Sequence, residues 1–339
     1  MARIAVVGAG AWGTALAAHA ARLDNDVLLW ARESEVVPAI NDKHENEVFL
    51  SGVPLPTALK ATNDLQESVR ARDIVLLVAP AQHLRSVASA LKPHLDPSAR
   101  VLVASKGIEV TTRKLMSEVL DEVLPETSMR VGFLSGPSFA REVALGLPTD
   151  VVVASRTPAV VQSAMAAMHS PSFRVYSSAD PIGVEVGGAM KNVMAIAAGA
   201  CDGLNLGTNA RAAIITRGLA EMTRLGVALG ADPLTFLGMS GVGDLVLTCT
   251  GPLSRNRTLG MKIAEGTPAA EYLKSQRTVA EGYPTAKAAR DLARERGIDA
   301  PITDEVYQVL HEGKSLLEAL RSLVTRGSSE ELYGIRASK

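Results

Sequence analysis

The chain has 339 residues, which at roughly 150 per domain means about two domains, each long enough to bury its own core. With 47% hydrophobic and 21% charged residues it matches an ordinary folded globular mixture and excludes the disordered, collagenous and disulfide-scaffold classes. Lys+Arg 35 against Asp+Glu 36 gives a formal charge of -1, so no overall field draws it to nucleic acid or to an anionic membrane, and any anion must meet a local cluster.

From the start to about Ser178, short apolar runs alternate with helical stretches. The runs are 4–7, 27–30, 74–78, 101–104, 131–134, 151–154 and 174–176. Near-continuous apolar strands separated by helices predict a mostly parallel sheet covered on both faces, a doubly wound α/β domain of the Rossmann type over 1–180. After Ala179-Asp180-Pro181 the strand-like runs stop, and Ala-, Leu-, Glu- and Arg-rich stretches predict an all-helical domain over 181–339, fraying from about Ser328. No apolar run approaches the ~20 residues that span a bilayer, so membrane insertion is not expected. The N-terminus carries patterned glycines and no signal cleavage site, and the only cysteines, Cys201 and Cys249, lie in separate surroundings. The cytoplasm is therefore the expected compartment, and neither a disulfide framework nor a metal site is expected.

Gly8-Ala9-Gly10-Ala11-Trp12-Gly13 follows the first strand and opens a helix. In a dinucleotide turn the first glycine bends the chain, the second lets backbone approach a pyrophosphate, and the third lets helix and strand pack closely. A kinase glycine loop is disfavoured, because neither His-Arg-Asp nor Asp-Phe-Gly occurs. At the end of the second strand stand Arg32 and Glu33. Arginine suits a 2′-phosphate and an acid suits ribose hydroxyls, so NADPH is favoured and NADH stays open as the alternative.

Further along, Ser105-Lys106-Gly107 and Ser135-Gly136-Pro137-Ser138-Phe139-Ala140 each follow a strand, where ligands of open α/β sheets collect. Lys191 has Gly187, Gly188, Met194 and Ala195 as its one-turn neighbours, a face with no carboxylate and little water. Desolvation would lower its pKa and make it a proton donor and acceptor near neutrality. The competing reading is a helix-end lysine reaching solvent along its stem. The two glycines one turn earlier would admit something large, such as a nicotinamide ring. The glycine-rich 238–243 loop delivers Asp244, a partner for a buried ammonium or simply a helix cap. Ser254-Arg255-Asn256 opens another helix whose free N–H groups and Arg255 suit a phosphate; a capped helix with a basic surface is the plain alternative.

Taken together these strings resemble the bacterial-type NAD(P)-dependent glycerol-3-phosphate dehydrogenases: 8–17, Ser-Lys-Gly-Ile-Glu at 105–109, Ser-Gly-Pro-Ser-Phe-Ala at 135–140, Lys-Asn-Val at 191–193, Gly-Asp-Leu at 243–245, Ser-Arg-Asn at 254–256 and Val-Ala-Glu-Gly at 279–282. The resemblance implies reduction of dihydroxyacetone phosphate to sn-glycerol 3-phosphate, supplying phospholipid synthesis, by a cytoplasmic enzyme that is a homodimer. It further implies that Lys191 is the general acid/base, with Lys106 and Asp244 completing its polar network. Gly136, Ser138, Ser254, Arg255 and Asn256 would hold substrate. Gly8, Gly10, Ala11, Trp12, Gly13, Arg32, Lys106, Ala140, Arg255, Val279 and Glu281 would contact the cofactor. One departure is Ala79-Pro80-Ala81 where the family commonly has Val-Pro-Ser, which removes a hydroxyl near the cofactor. The rival readings are a β-hydroxyacid or 6-phosphogluconate dehydrogenase, which shares the layout, and a non-catalytic nicotinamide-sensing protein.

Overall fold

The computed structural model describes residues 1–327 and 330–335 and divides them between two compact units. The first, Met1–Ser105 with Met116–Pro181, is built on eight strands: β1 (Arg3–Val7), β2 (Asp26–Trp30), β3 (Lys60–Thr62), β4 (Ile74–Leu77), β5 (Arg100–Val103), β6 (Val131–Ser135), β7 (Thr149–Ala154) and β8 (Phe173–Ser178). They form one sheet in the order β3-β2-β1-β4-β5-β6-β7-β8. Pairing is parallel throughout except between β6 and β7. The only helix between those two strands, Ala140–Ala144, has 5 residues. It rises about 7.5 Å, too little to carry the chain back along a strand.

All of Ile74–Leu77 is buried, as a strand covered on both faces requires. The chain winds from β1 outward to β3 and then returns to β4 on the other side of β1. This reversal opens a crevice beyond the carboxyl ends of β1 and β4. β3 is absent from the sequence-based expectation, because of its three residues only Ala61 is buried and no apolar run marks it.

The second unit comprises Lys106–Leu115 and Ile182–Lys339. Its described regular elements are helices, the longest being Pro181–Gly203 and Gly207–Ala228. Met190, Val193 and Met194 of the first pack with Met222 and Leu225 of the second and with Ala286 and Ala289 of the helix Gly282–Glu295. The expected first domain, an unbroken 1–180, needs correction at one segment, since Lys106–Leu115 belongs to the helical unit. The reason is physical: Ile108 and Leu115 are buried in the helical core, and Lys106 is ion-paired to Asp244. The expectation of fraying from Ser328 falls partly on residues outside those described. Within the described Glu330–Ile335, the Tyr333 ring lies 4.4 Å from the Arg224 guanidinium.

Candidate active site

In the first unit, the glycine turn stands at the crevice. Gly8 has φ +121°, and a Cβ there would lie 3.0 Å from the carbonyl carbon of Val78, just past β4. At Gly13 a Cβ would lie 1.8 Å from the Gly8 carbonyl oxygen, so any other residue would push the helix Ala11–Arg22 off the strand. Gly10, by contrast, has open space where its Cβ would be, and it caps the helix without a side-chain hydrogen bond. The first N–H groups of that helix have no partner within it. A half-buried Trp12 adds an Nε1 with no hydrogen-bond partner. A close-packed turn with an open face, over a helix N-terminus, fits a dinucleotide pyrophosphate, which the backbone of Gly10, Ala11 and Trp12 would hold.

Arg32 follows β2 with its guanidinium exposed, 2.8 Å from a Glu33 carboxylate oxygen. Ser105 donates its hydroxyl to the Ala79 carbonyl at 2.5 Å, tying down the Ala79-Pro80-Ala81 loop. Gly136 has φ +131°, and a Cβ there would meet Val151 Cα at 2.9 Å, the close approach that the antiparallel return of β7 demands. Ser138 closes the same turn by donating to the Gly136 carbonyl at 2.8 Å. Ala140 then opens the short helix Ala140–Ala144.

In the second unit, Lys191 projects from Pro181–Gly203 and is only 7% exposed. Its Nζ donates to Asp244 Oδ1 at 2.7 Å and to Thr248 Oγ1 at 2.9 Å. Lys106 Nζ donates to the other carboxylate oxygen, Oδ2, at 2.8 Å. An ammonium has three N–H groups. Lys191 therefore keeps one beyond these two partners. Burial is the main force lowering its pKa, opposed by the Asp244 charge and aided by Lys106, and the result is about 8. For Asp244 burial acts upward, but the two ammoniums outweigh it and hold the carboxyl below its ordinary range.

What places Asp244 is Gly187. A Cβ on Gly187 would lie 2.3 Å from the Ser240 carbonyl oxygen, so the backbone of the Met239–Gly243 turn rests directly on the helix. The expected visitor at that glycine, a nicotinamide ring, is thus corrected: the protein's own backbone fills the space. From the turn the chain enters the helix Asp244–Thr250, whose first residue is Asp244 and whose Thr248 lies one turn on. Thr248 belongs to the site and was not foreseen. The four-residue spacing from Asp244, which puts both on one face, is the signal that could have found it.

Ser254 is buried and caps the helix Arg255–Ala264 by accepting from Arg257 N at 3.2 Å. Arg255 is exposed, and the carboxylate acting on its guanidinium is that of Glu281, so these two cofactor candidates are neighbours. Val279 is exposed. Asn256 is buried; it donates to Asn192 Oδ1 at 2.8 Å and accepts from Gly282 N at 2.9 Å. Its side chain therefore braces three segments and retains one amide hydrogen for any ligand. Asn192, next to the lysine, is a second residue the sequence left unassigned.

Two family descriptions match the chain: the N-terminus of NAD-dependent glycerol-3-phosphate dehydrogenase over residues 3–161 and its C-terminus over 180–321. The chain belongs to the NAD-dependent glycerol-3-phosphate dehydrogenase family. The Glycerol-3-phosphate dehydrogenase [NAD(P)+] of Geobacter sulfurreducens is 52% identical over 332 residues, covering 98% of this chain and 99% of its own. The crystal structure of glycerol-3-phosphate dehydrogenase from Coxiella burnetii superposes with a TM-score of 0.91 at 39% identity, over 96% of this chain and 99% of that one. That of Saccharomyces cerevisiae, at 30% identity over 96% and 99%, gives 0.81. This glycerol-3-phosphate dehydrogenase homologue is thus an NAD(P)-dependent oxidoreductase, and the sensor and β-hydroxyacid readings fall away. Among its described residues no helix is long and apolar enough to cross a membrane.

Proposed function

We propose that the protein reduces dihydroxyacetone phosphate to sn-glycerol 3-phosphate, reversibly, with Lys191 as the proton donor and acceptor. The observation that carries this reading is a buried ammonium with two fixed partners, one N–H to spare and a pKa of about 8. The nicotinamide, when bound, supplies the hydride. Lys191 then gives its proton to the C2 oxygen as negative charge develops there, and Asp244 and Thr248 hold its Nζ on the remaining two hydrogens. Lys106 bears on the same carboxylate and keeps it ionised. Gly136, Ser138, Ser254, Arg255 and Asn256 are proposed to hold the substrate, Arg255 gripping the phosphate with paired N–H donors. Binding energy from that remote phosphate would orient the carbonyl.

For the cofactor we infer NADPH over NADH, through Arg32, with Gly8, Gly10, Ala11, Trp12, Gly13, Lys106, Ala140, Arg255, Val279 and Glu281 as its other contacts. A cytoplasmic homodimer that supplies phospholipid synthesis is the wider setting inferred from the family; the free thiols Cys201 and Cys249 suit a reducing compartment. Mixing purified protein with NADPH and dihydroxyacetone phosphate should consume NADPH and yield glycerol 3-phosphate. Binding of NADPH without turnover in either direction would overturn the reading.

A further inference from the structure

Between the helix Val36–Lys43 and β3 the chain makes a loop closed on itself. Leu55 N donates to the His44 carbonyl at 2.8 Å, Gly52 N to a Glu45 carboxylate oxygen at 2.6 Å, and Phe49 N to Asn46 Oδ1 at 3.1 Å. Asn46 is fully buried, and its amide leaves the loop. Nδ2 donates to the Ala9 carbonyl oxygen at 2.9 Å and to Thr14 Oγ1 at 2.8 Å. Thr14, also fully buried, donates its hydroxyl to the same Ala9 oxygen at 3.2 Å. A carbonyl only accepts, so this network admits one orientation of the Asn46 amide.

Ala9 lies inside the glycine turn, and whatever holds its carbonyl also aims the next N–H. The Ala9–Gly10 peptide is trans, so its C=O and N–H point in opposite directions. Two donors draw the oxygen inward on the Ala9 side, which is 3% exposed. The Gly10 N–H is thereby turned to the other side of the peptide plane, where Gly10 is exposed and a Cβ would meet nothing within 4 Å. An asparagine that served only its own loop would place its amide hydrogens there. Both hydrogens of Asn46 go instead to residues 37 and 32 positions earlier, one in the turn and one in the helix it opens.

We propose that Asn46 is a positioning residue for the cofactor: with Thr14 it fixes the Ala9 carbonyl and so presents the Gly10 N–H to a diphosphate oxygen. The proposal rests on the reading of the glycine turn as the seat of the diphosphate. A charged acceptor makes such a hydrogen bond stronger than a neutral one, and a donor already aimed loses little freedom when the ligand arrives. Left unheld, that peptide could turn, because Gly10 tolerates backbone angles that other residues do not.

The test is calorimetric titration of the full-length protein with NADPH, NADH and ADP-ribose, on wild type, Asn46→Leu, Thr14→Val and Thr14→Ser, compared at equal folded fraction by circular dichroism. A wild type that binds none of them would refute the reading of the turn and this proposal with it; the variants test the proposal alone. Asn46→Leu, uncharged and close in size, should weaken every one of these ligands by a common factor of at least about tenfold, because all carry the diphosphate. Thr14→Val leaves the hydrogen bonds within the loop in place and carries the test if Asn46→Leu does not fold. It should weaken each ligand about threefold, and Thr14→Ser, which retains the hydroxyl, should bind as the wild type does. At saturating NADPH the phosphorus NMR resonances of the bound diphosphate should move in Asn46→Leu and Thr14→Val and return in Thr14→Ser. Unchanged affinity with lowered stability, a loss that spares ADP-ribose, or diphosphate resonances that stay in place would each overturn the proposal.

Discussion

Lys191 Nζ and Asp244 Oδ1 are 2.7 Å apart, and Lys106 holds the same carboxylate from its other oxygen at 2.8 Å, so two ammoniums share one anion away from water. The cluster carries a net positive charge, and burial together with Lys106 brings Lys191 to about 8 despite Asp244. With Lys191 as the proposed proton donor, reduction of the ketone needs it protonated. The reductive kcat should therefore be level below about pH 8 and fall above it, by tenfold per unit. Oxidation of the alcohol needs the neutral amine, so its limb should rise through the same pH. The causes of the shift give signs for two variants. Lys106→Met removes a like charge and should move both limbs to higher pH; Asp244→Asn removes the stabilising charge and should move them lower. Limbs that stay put in both variants would assign the titration to another group.

Lys191→Ala removes the proposed proton donor without touching the glycine turn. The kcat should fall by about two to four orders of magnitude, the range for a positioned general acid. NADPH affinity, measured by fluorescence titration, should hold. A loss confined to KM would make Lys191 a binding residue and leave the proton unassigned.

Much of this was legible in the sequence, and the failures have definite causes. The strands Ile74–Leu77 and Val131–Ser135 announce themselves because burial on both faces leaves no polar position to interrupt them. β3 is silent, because a three-residue edge strand buries one side chain. The burial of Lys191 is legible in its one-turn neighbours, and Asp244 as a partner for a buried ammonium in its glycine-rich approach. Their bond could not be read, since it joins residues 53 apart, and helical spacing reports only on one helix at a time. The reading of Gly187 failed in an instructive way. Sequence reveals that something must come close to a glycine, and only the fold reveals that it is Ser240.

Gly187→Ala tests that contact. The added Cβ would sit 2.3 Å from the Ser240 oxygen, well inside contact distance, so the Met239–Gly243 turn must lift from the helix. Overpacking of this kind costs about 1–3 kcal/mol, visible as a lower denaturation midpoint. Because the turn leads into Asp244, the pH limb of kcat should also move to lower values, as in Asp244→Asn. Lower stability with an unchanged pH limb would show that the turn can move without carrying Asp244 away from Lys191.

The proposed preference for NADPH rests on Arg32. Its side chain is 75% exposed and already 2.8 Å from Glu33, and an exposed pair of this kind contributes only about 0–1 kcal/mol. A 2′-phosphate brings two charges and several acceptors, so it should displace Glu33 from the guanidinium at small cost. Charge-assisted hydrogen bonds are stronger, about 1.5–3 kcal/mol each. Arg32→Ala should thus raise the KM for NADPH by about tenfold or more and change that for NADH little. Glu33→Gln should act oppositely, freeing the guanidinium and removing a negative charge beside the phosphate, so the KM for NADPH should fall. Steady-state kinetics with both cofactors on the two variants decides the matter: equal effects of Arg32→Ala on NADPH and NADH would mean that this guanidinium does not meet the 2′ position at all.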